Sequence, residues 1–383
     1  MVINLYDMNQ KRPKIICFNQ VLTDHIVDVA SRVGDTVLIY GKGGRVRRNF
    51  EGVKRVPLRV TFLGVRAVTR FFFPKNQTHH PRYFIGLGRV LRHEKPDVVV
   101  ATDIFQPHAW RCIRYARLNG RRLILLSETK KWPGSKFGKI WLRFSLWYIR
   151  RNLKYIDKIV VWTEQGRKFY ARYMPEANVE LIPAPVDTNF FYPAQKKDWL
   201  PEGKLRILMN ARFVSFKRHN DLLKAVLILR EKGLKASVSL IGSKGLGVED
   251  MEKQIAKYGL RDVVHILPPR QFEEMPSLYH EHDVLVLPSY QEAIGMVVPE
   301  AMSCGVPTIT SDTVGANLYV KEGVTGLIFK TKDVTDLANK LAECFDARKL
   351  QVMGKSARQY CVDNFGNEQI EERFDKLFRQ ISK

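Results

Sequence analysis

No run in this sequence approaches the ~18 consecutive apolar residues that a membrane-crossing helix needs. Cysteine is sparse and unordered. Five residues (Cys17, Cys112, Cys304, Cys344 and Cys361) are an odd number, scattered, with no CxxC pair. That excludes a disulfide framework and a thiolate metal site, and it suits a reducing compartment. The opening residues, MVINLYDMNQKRPK, lack the basic-then-apolar layout of a secretory signal. The chain is therefore expected to be cytoplasmic, at most peripheral on the inner face of the cell membrane. Acidic residues are scarce in one half only: residues 1–200 hold 37 Lys and Arg against 15 Asp and Glu, the remainder 26 against 24. Almost all of the +24 net charge thus sits on the first half. Such a surface must meet something anionic: nucleic acid, a phosphorylated substrate or an acidic membrane.

What is present is ordinary globular material, 45% hydrophobic and 27% charged over 383 residues, enough for two domains. Short apolar runs alternate with amphipathic segments, the pattern of parallel sheets wrapped by helices. Strands are expected at 14–18, 36–40, 97–101, 123–126 and 159–163, then at 206–210, 236–241, 263–267, 284–288 and 308–311. Helices are expected at 220–232, 248–258, 272–280, 299–303 and 334–345, and 365–383 reads as a last helix with Ile370, Phe374 and Leu377 on one face. Between the two series Pro183, Pro185 and Pro193 punctuate a stretch without periodicity. The expected division is 1–190, a basic Rossmann-like domain, 191–364, a second Rossmann-like domain, and 365–383, a helix returning toward the first.

The most informative stretch follows the strand ending near Pro288. A turn containing Gly295 leads into a helix expected to start at Pro299, where proline costs no backbone bond. Unpaired backbone N–H groups of this turn and the helix start make a natural seat for phosphate. Glu292 and Glu300 flank it, and carboxylates there suit hydroxyl groups, which donate to them. Each glutamate alone could equally be a helix cap or part of a solvated face. A second cluster follows strand 206–210: Arg212 and Lys217, five residues apart in one loop, a fork and a point charge suited to a diphosphate leaving group.

Taken together these residues resemble the family-4 retaining glycosyltransferases of the GT-B fold. Glu292 and Glu300 stand at the spacing of that family's E-x7-E motif, and Ala211-Arg212 through Lys217 is similar to its G-R-x4-K loop. Gly242-Ser243 resembles its strand-end glycine, 284–289 its DVLVLPS strand, 182–187 its interdomain IPNGVD, and Gly323-Val324-Thr325-Gly326 its DGVTG turn. The resemblance implies two Rossmann-like doubly wound domains facing across a cleft, and transfer of a sugar from a UDP- or GDP-sugar. Glu292 would hold the donor sugar and Glu300 the ribose. Arg212 and Lys217 would stabilise the leaving diphosphate, and Gly242, Ser243, Gly295, Met296 and Val297 would line the donor site. It also implies no metal and no cofactor, the cationic pair standing in for Mg²⁺. The sequence departs from the family at its N-terminal glycine-rich turn, where Asn19-Gln20-Val21-Leu22 stand instead, and at Glu128, which occupies the place of a histidine. Glu128 is a candidate acceptor or sugar contact, or a cap.

In that family the first domain meets the acceptor. Over 136–156 a stripe of Lys136, Lys139, Arg143, Arg150 and Lys154 includes Trp147. Trp141, Phe144, Tyr148, Leu153, Tyr155 and Ile156 form an opposite face expected to be core. Arg70-Phe71-Phe72-Phe73 is a second basic-aromatic stretch. Arg70, Phe72, Lys139, Arg143, Trp147 and Arg150 are therefore candidates for contact with an anionic membrane, and the expected acceptor is lipid-linked or membrane-borne. Alternatives are a sugar-nucleotide epimerase or phosphorylase of the same fold, or a non-enzymatic basic protein binding nucleic acid or membrane. No nucleic-acid motif is visible, and nucleic acid is not an expected partner.

Overall fold

The computed structural model describes residues 12–18, 24–42, 50–62, 82–102, 104–127, 136–242 and 247–382. Glu128, Ser243, Arg70 and Phe72 lie outside the described residues. The chain divides into two units, 1–182 with 371–383, and 183–370.

In unit 1 seven strands lie in one parallel sheet, ordered β3-β2-β1-β6-β7-β8-β9. These are β1 (Lys14–Phe18), β2 (Asp35–Gly41), β3 (Lys54–Leu58), β6 (Val98–Thr102), β7 (Arg122–Ser127), β8 (Lys158–Val161) and β9 (Val179–Leu181). β6, VVVAT, is buried at all five positions, as a strand covered on both faces must be. Strands β4 (Val60–Phe62) and β5 (Arg82–Phe84) form a separate antiparallel pair. The helices are α1 (Asp24–Val33), α2 (Leu87–Glu94), α3 (Pro107–Asn119), α4 (Lys136–Arg151) and α5 (Glu164–Tyr173). β3 and β9 are the edge strands, and periodicity does not reveal them: KRVPL carries charges and a proline, and VEL is three residues long. Both are usual ways of blunting an exposed edge. At the strands' amino ends the buried Glu94 accepts from Lys14 and Lys54 at 2.7 and 2.6 Å. Burial raises its pKa, but hydrogen bonds from Lys14, Lys54 and His93 outweigh that and hold it at about 2.

Unit 2 holds a six-stranded parallel sheet ordered β12-β11-β10-β13-β14-β15. Its strands are β10 (Leu205–Asn210), β11 (Ala236–Ile241), β12 (Val264–Leu267), β13 (Val284–Leu287), β14 (Thr308–Ser311) and β15 (Gly326–Phe329). Its helices are α6 (His219–Glu231), α7 (Val248–Lys257), α8 (Met275–His280), α9 (Val297–Ser303), α10 (Val334–Ala342) and α11 (Ala347–Phe365). The segment expected as one helix over 272–280 is a 3-10 turn, Phe272–Glu274, followed by α8, with Pro276 tolerated in the first turn. The helix expected at Pro299 starts at Val297, so Pro299 is its third residue, still among those whose N–H lacks an acceptor within the helix. α11 is absent from the sequence reading because Gly354 and Ala357 on its buried face add little hydropathy. A Cβ at Gly354 would stand 2.2 Å from the Gly305 carbonyl, so small size here is what lets two segments touch.

The last helix, α12 (Asn367–Ser382), buries Ile370, Phe374 and Leu377 as their spacing implies, together with Phe378. Its residues from Glu371 onward belong to unit 1, where Arg32 donates to Glu371 at 2.5 Å and Phe374 packs beside Trp162.

Candidate functional site

The sheet of unit 2 reverses its strand order between β10 and β13. From β10 the chain moves outward to β11 and β12, then returns to build β13, β14 and β15 on the other side. Loops leaving the carboxyl ends of two such strands splay in opposite directions and leave a crevice, the usual ligand position in doubly wound sheets. The two sequence-derived clusters fall on those two loops. Arg212 and Lys217 follow β10, and Glu292 and Gly295 follow β13.

Side chains connect the loops directly. The Lys217 ammonium pairs with the Glu292 carboxylate, both groups largely shielded from water. Beside them Tyr290 N–H donates to the Phe216 carbonyl at 2.9 Å, fixing one loop against the other. Gly315 N–H donates to the Glu292 carbonyl at 3.2 Å. Gly295 has φ +71°, and a Cβ there would stand 3.0 Å from both Ala316 and Leu287 and 3.2 Å from Glu292. A side chain would therefore strain the turn and push Glu292 aside. Gly242, after β11, is a close approach: a Cβ would lie 2.6 Å from the Ala211 carbonyl and 2.9 Å from the Phe213 ring. The absence of that Cβ is what lets the Arg212 loop lie flat on the strand end. Arg212 itself is exposed.

Glu300, on the first turns of α9, accepts from the Tyr279 hydroxyl at 2.7 Å. Burial raises the Glu300 pKa and the Tyr279 hydrogen bond opposes it. Tyr279 is fully buried on α8, and its own pKa is driven up by burial and by the Glu300 carboxylate. Asn210, the last residue of β10, also bonds Tyr279. Sequence reasoning missed Tyr279, which reads as one more apolar position beside Met275 and Leu278. α9 has only seven residues, so its terminal partial charge is small. The cations at this end of the sheet are Arg212 and Lys217, on the loop after β10.

Removing the Tyr279 hydroxyl should raise the pKa of Glu300 further, since the bond it makes favours the charged carboxylate. If Glu300 holds a nucleotide ribose, as the family resemblance implies, then in Tyr279→Phe the acid limb of nucleotide binding should move to higher pH and binding should weaken roughly tenfold, as for a hydrogen bond to a charged group. Titration calorimetry across pH checks both. An unshifted acid limb would mean that Tyr279 only packs.

In unit 1 the expected membrane-facing cations Lys139, Arg143 and Arg150 and the aromatic Trp147 are all exposed on α4. The opposite face needs correction. Leu142, Ser145, Leu146 and Ile149 form the buried side, whereas Phe144, expected in the core, is 47% exposed. The reason is that α4 ends at Arg151 and Leu153–Tyr155 is a separate 3-10 turn, so one helical phase does not run through 136–156. Among the described residues one group, His25, Asp28 and Glu371, has the spacing of metal ligands. Arg32 already donates to that Glu371, so the group reads as an ion-pair network holding α12 to α1. No described helix is long and apolar enough to cross a membrane.

Residues 22–190 match the family model described as Glycosyltransferase Family 4, and residues 192–360 match that of Glycosyl transferases group 1. A D-inositol 3-phosphate glycosyltransferase of Arthrobacter sp. (strain FB24) is 29% identical over 177 residues, which is 44% of this chain and 42% of that protein. The chain thus spans less than half the length of this curated relative. A glycosyltransferase structure from Rickettsia africae aligns over 98% of this chain and all of its own, with TM-score 0.76 at 15% identity. Anabaena HepE, in complex with UDP and glucose, aligns over 96% of this chain and all of its own, with TM-score 0.71 at 16% identity. Two parallel α/β sheets of seven and six strands and these likenesses make the fold GT-B. With one family model covering most of the first half and the other most of the second, the chain belongs to the family-4 glycosyltransferases.

Proposed function

We propose that this chain transfers a sugar, with retention of anomeric configuration, from a UDP- or GDP-sugar to a lipid-linked or otherwise membrane-borne acceptor. The observation that carries the donor half is the Lys217–Glu292 pair, which joins the two loops at the point where strand order reverses. A carboxylate beside an ammonium serves a sugar diphosphate: Glu292 accepts from sugar hydroxyls while Lys217 and the exposed Arg212 meet the charge that builds on the departing diphosphate. Met296 and Val297 would add backbone donors. Glu300, oriented by Tyr279, would accept from the ribose hydroxyls. In this reading the two cations take the electrostatic role that a divalent metal takes in other transferases, and no cofactor is required. Retention rests on family membership. A UDP or a UDP-sugar is favoured among donors because related folds, Anabaena HepE among them, hold UDP and UDP-glucose.

The acceptor half rests on charge, since residues 1–200 hold 37 cations against 15 anions. A second reading is a small phosphorylated polyol as acceptor, favoured by relatives named for D-inositol 3-phosphate. Thermal-shift measurement with UDP, GDP, ADP and their sugar conjugates, without added metal, tests the donor site. One nucleotide family should raise the melting temperature, and Glu300→Ala should abolish the rise. No response to any of them in a folded sample would overturn the reading.

A further inference from the structure

α4 carries its apolar residues in the wrong place for a helix that only packs on its own sheet. At 3.6 residues per turn, Ile140, Phe144 and Trp147 fall within about 60° of arc, directly opposite the buried Leu142, Leu146 and Ile149. They are 63%, 47% and 50% exposed. Among the described residues no other helix exposes three large apolar side chains. The rings are ordered against one another. Phe144 stacks on Trp147 at 5.6 Å, Trp110 of α3 meets Phe144 edge-on at 5.6 Å, and the Arg151 guanidinium lies over Trp147 at 5.0 Å.

The charge carried by the two helices that form this ridge is of one sign. Lys139, Arg143 and Arg150 line one flank, although Arg150 also bonds Glu176. On the other flank α3 brings Arg114 and Arg117 close enough to act on Tyr148. Neither PHAWRCIRYARLN nor KFGKIWLRFSLWYIRR contains a carboxylate. An apolar ridge wants a surface with apolar depth, and cations on both sides of it want anions in the same plane.

We infer that the α3–α4 face docks on a bilayer of anionic lipid, with Phe144 and Trp147 at headgroup level and the arginines on the phosphates. Only a lipid interface offers an apolar layer directly beneath a sheet of negative charge. A nucleic acid would satisfy the arginines and leave Ile140 and Phe144 against water. The inference rests on the reading that the acceptor is membrane-borne, and it names the face that would bring the enzyme to it.

Flotation of the full chain with vesicles of phosphatidylcholine plus phosphatidylglycerol, and of phosphatidylcholine alone, tests it at low salt. The wild-type protein should float with the anionic vesicles and not with the neutral ones. Phe144→Ala with Trp147→Ala should weaken that binding roughly tenfold or more, the loss expected for withdrawing two aromatic side chains from an apolar layer. Arg143→Glu with Arg151→Glu should do the same. These side chains are exposed, so both variants should melt as the wild type does. Absence of flotation on anionic vesicles overturns the inference, and that is the result expected if the partner is an acidic protein. Undiminished flotation of the aromatic variant also overturns it. UDP binding measured on the same samples keeps the two readings apart: it should survive in both variants, and its absence from the wild type would count against the donor site alone.

Discussion

Lys217→Ala should lower kcat roughly a hundredfold or more, the usual effect of deleting one donor to charge that develops in a transition state. KM for the nucleotide-sugar should change far less, because a group that acts on the leaving diphosphate is worth most after the bond has begun to break. Lys217 also pairs with Glu292 in the protein as it stands, so a second explanation must be separated: Lys217 could act solely by holding that carboxylate in place. A double-mutant cycle decides. If Lys217 only orients Glu292, then in a Glu292→Gln background the further change Lys217→Ala should cost almost nothing. If Lys217 stabilises the leaving group itself, its loss should still cost much of the hundredfold. Steady-state kinetics on the four proteins provide the comparison. Turnover by Lys217→Ala at the wild-type level would remove Lys217 from the mechanism.

How much of this could be seen in the sequence depends on what kind of signal each residue gives. Glu292, Lys217 and Arg212 stood out in the sequence because they sit in the loops after two apolar strands and fit a run of motifs in family order; the structure adds that Lys217 and Glu292 pair across those two loops. The core strands were legible for the same reason that they are core: β6, β10 and β13 are composed mostly of β-branched and aliphatic residues. The edge strands β3 and β9 were not, because what protects an edge strand from pairing also removes its hydrophobic pattern. Tyr279 was hidden by its own amphipathy: what distinguishes it from a packing residue is its bonding to residues distant in sequence, and the bond to Glu300 spans 21 positions. Phe144 was misplaced because the phase of a helix is legible only while the helix continues. Once α4 stops at Arg151, residues beyond it say nothing about which side of α4 faces in. The exposed ridge could therefore not be separated from the core side without knowing where the helix ends.

The strands that carry the proposed donor-site loops are fastened at their opposite ends, and breaking that fastening should cost unit 2 much of its stability. β10 and β13 share a short register, Ile207 with Val284 and Leu208 with Leu285. Below it Asp283, 0% exposed, accepts from Arg206 Nε at 3.0 Å, from Arg206 Nη2 at 2.7 Å and from the Arg206 backbone N–H at 2.9 Å. Asp283 N–H returns a bond to the Arg206 carbonyl at 2.8 Å. Lys197 is close by; burial has already brought its pKa down to about 8, and the Asp283 carboxylate is what holds it up. Asp283→Ala thus leaves two cations without their anion and one strand N–H without its acceptor. Removing one member of a buried pair costs about 3–5 kcal/mol. Because Arg206 keeps about a quarter of its side chain in water, the expected loss lies at the lower end, about 3 kcal/mol. Asp283→Asn, which keeps the shape and one acceptor, should fall between the two proteins. The loss should be confined to one unit. Hydrogen exchange read by mass spectrometry should show protection falling across β10 to β15 while β1, β6 and β7 keep theirs, and a single global melting temperature would blur that distinction. UDP binding should weaken only as far as unit 2 unfolds, since Asp283 lies at the end of the strands away from the loops that hold Lys217 and Glu292. Protection in Asp283→Ala equal to the wild type would show that the two strands are held by their neighbours and not by this clamp.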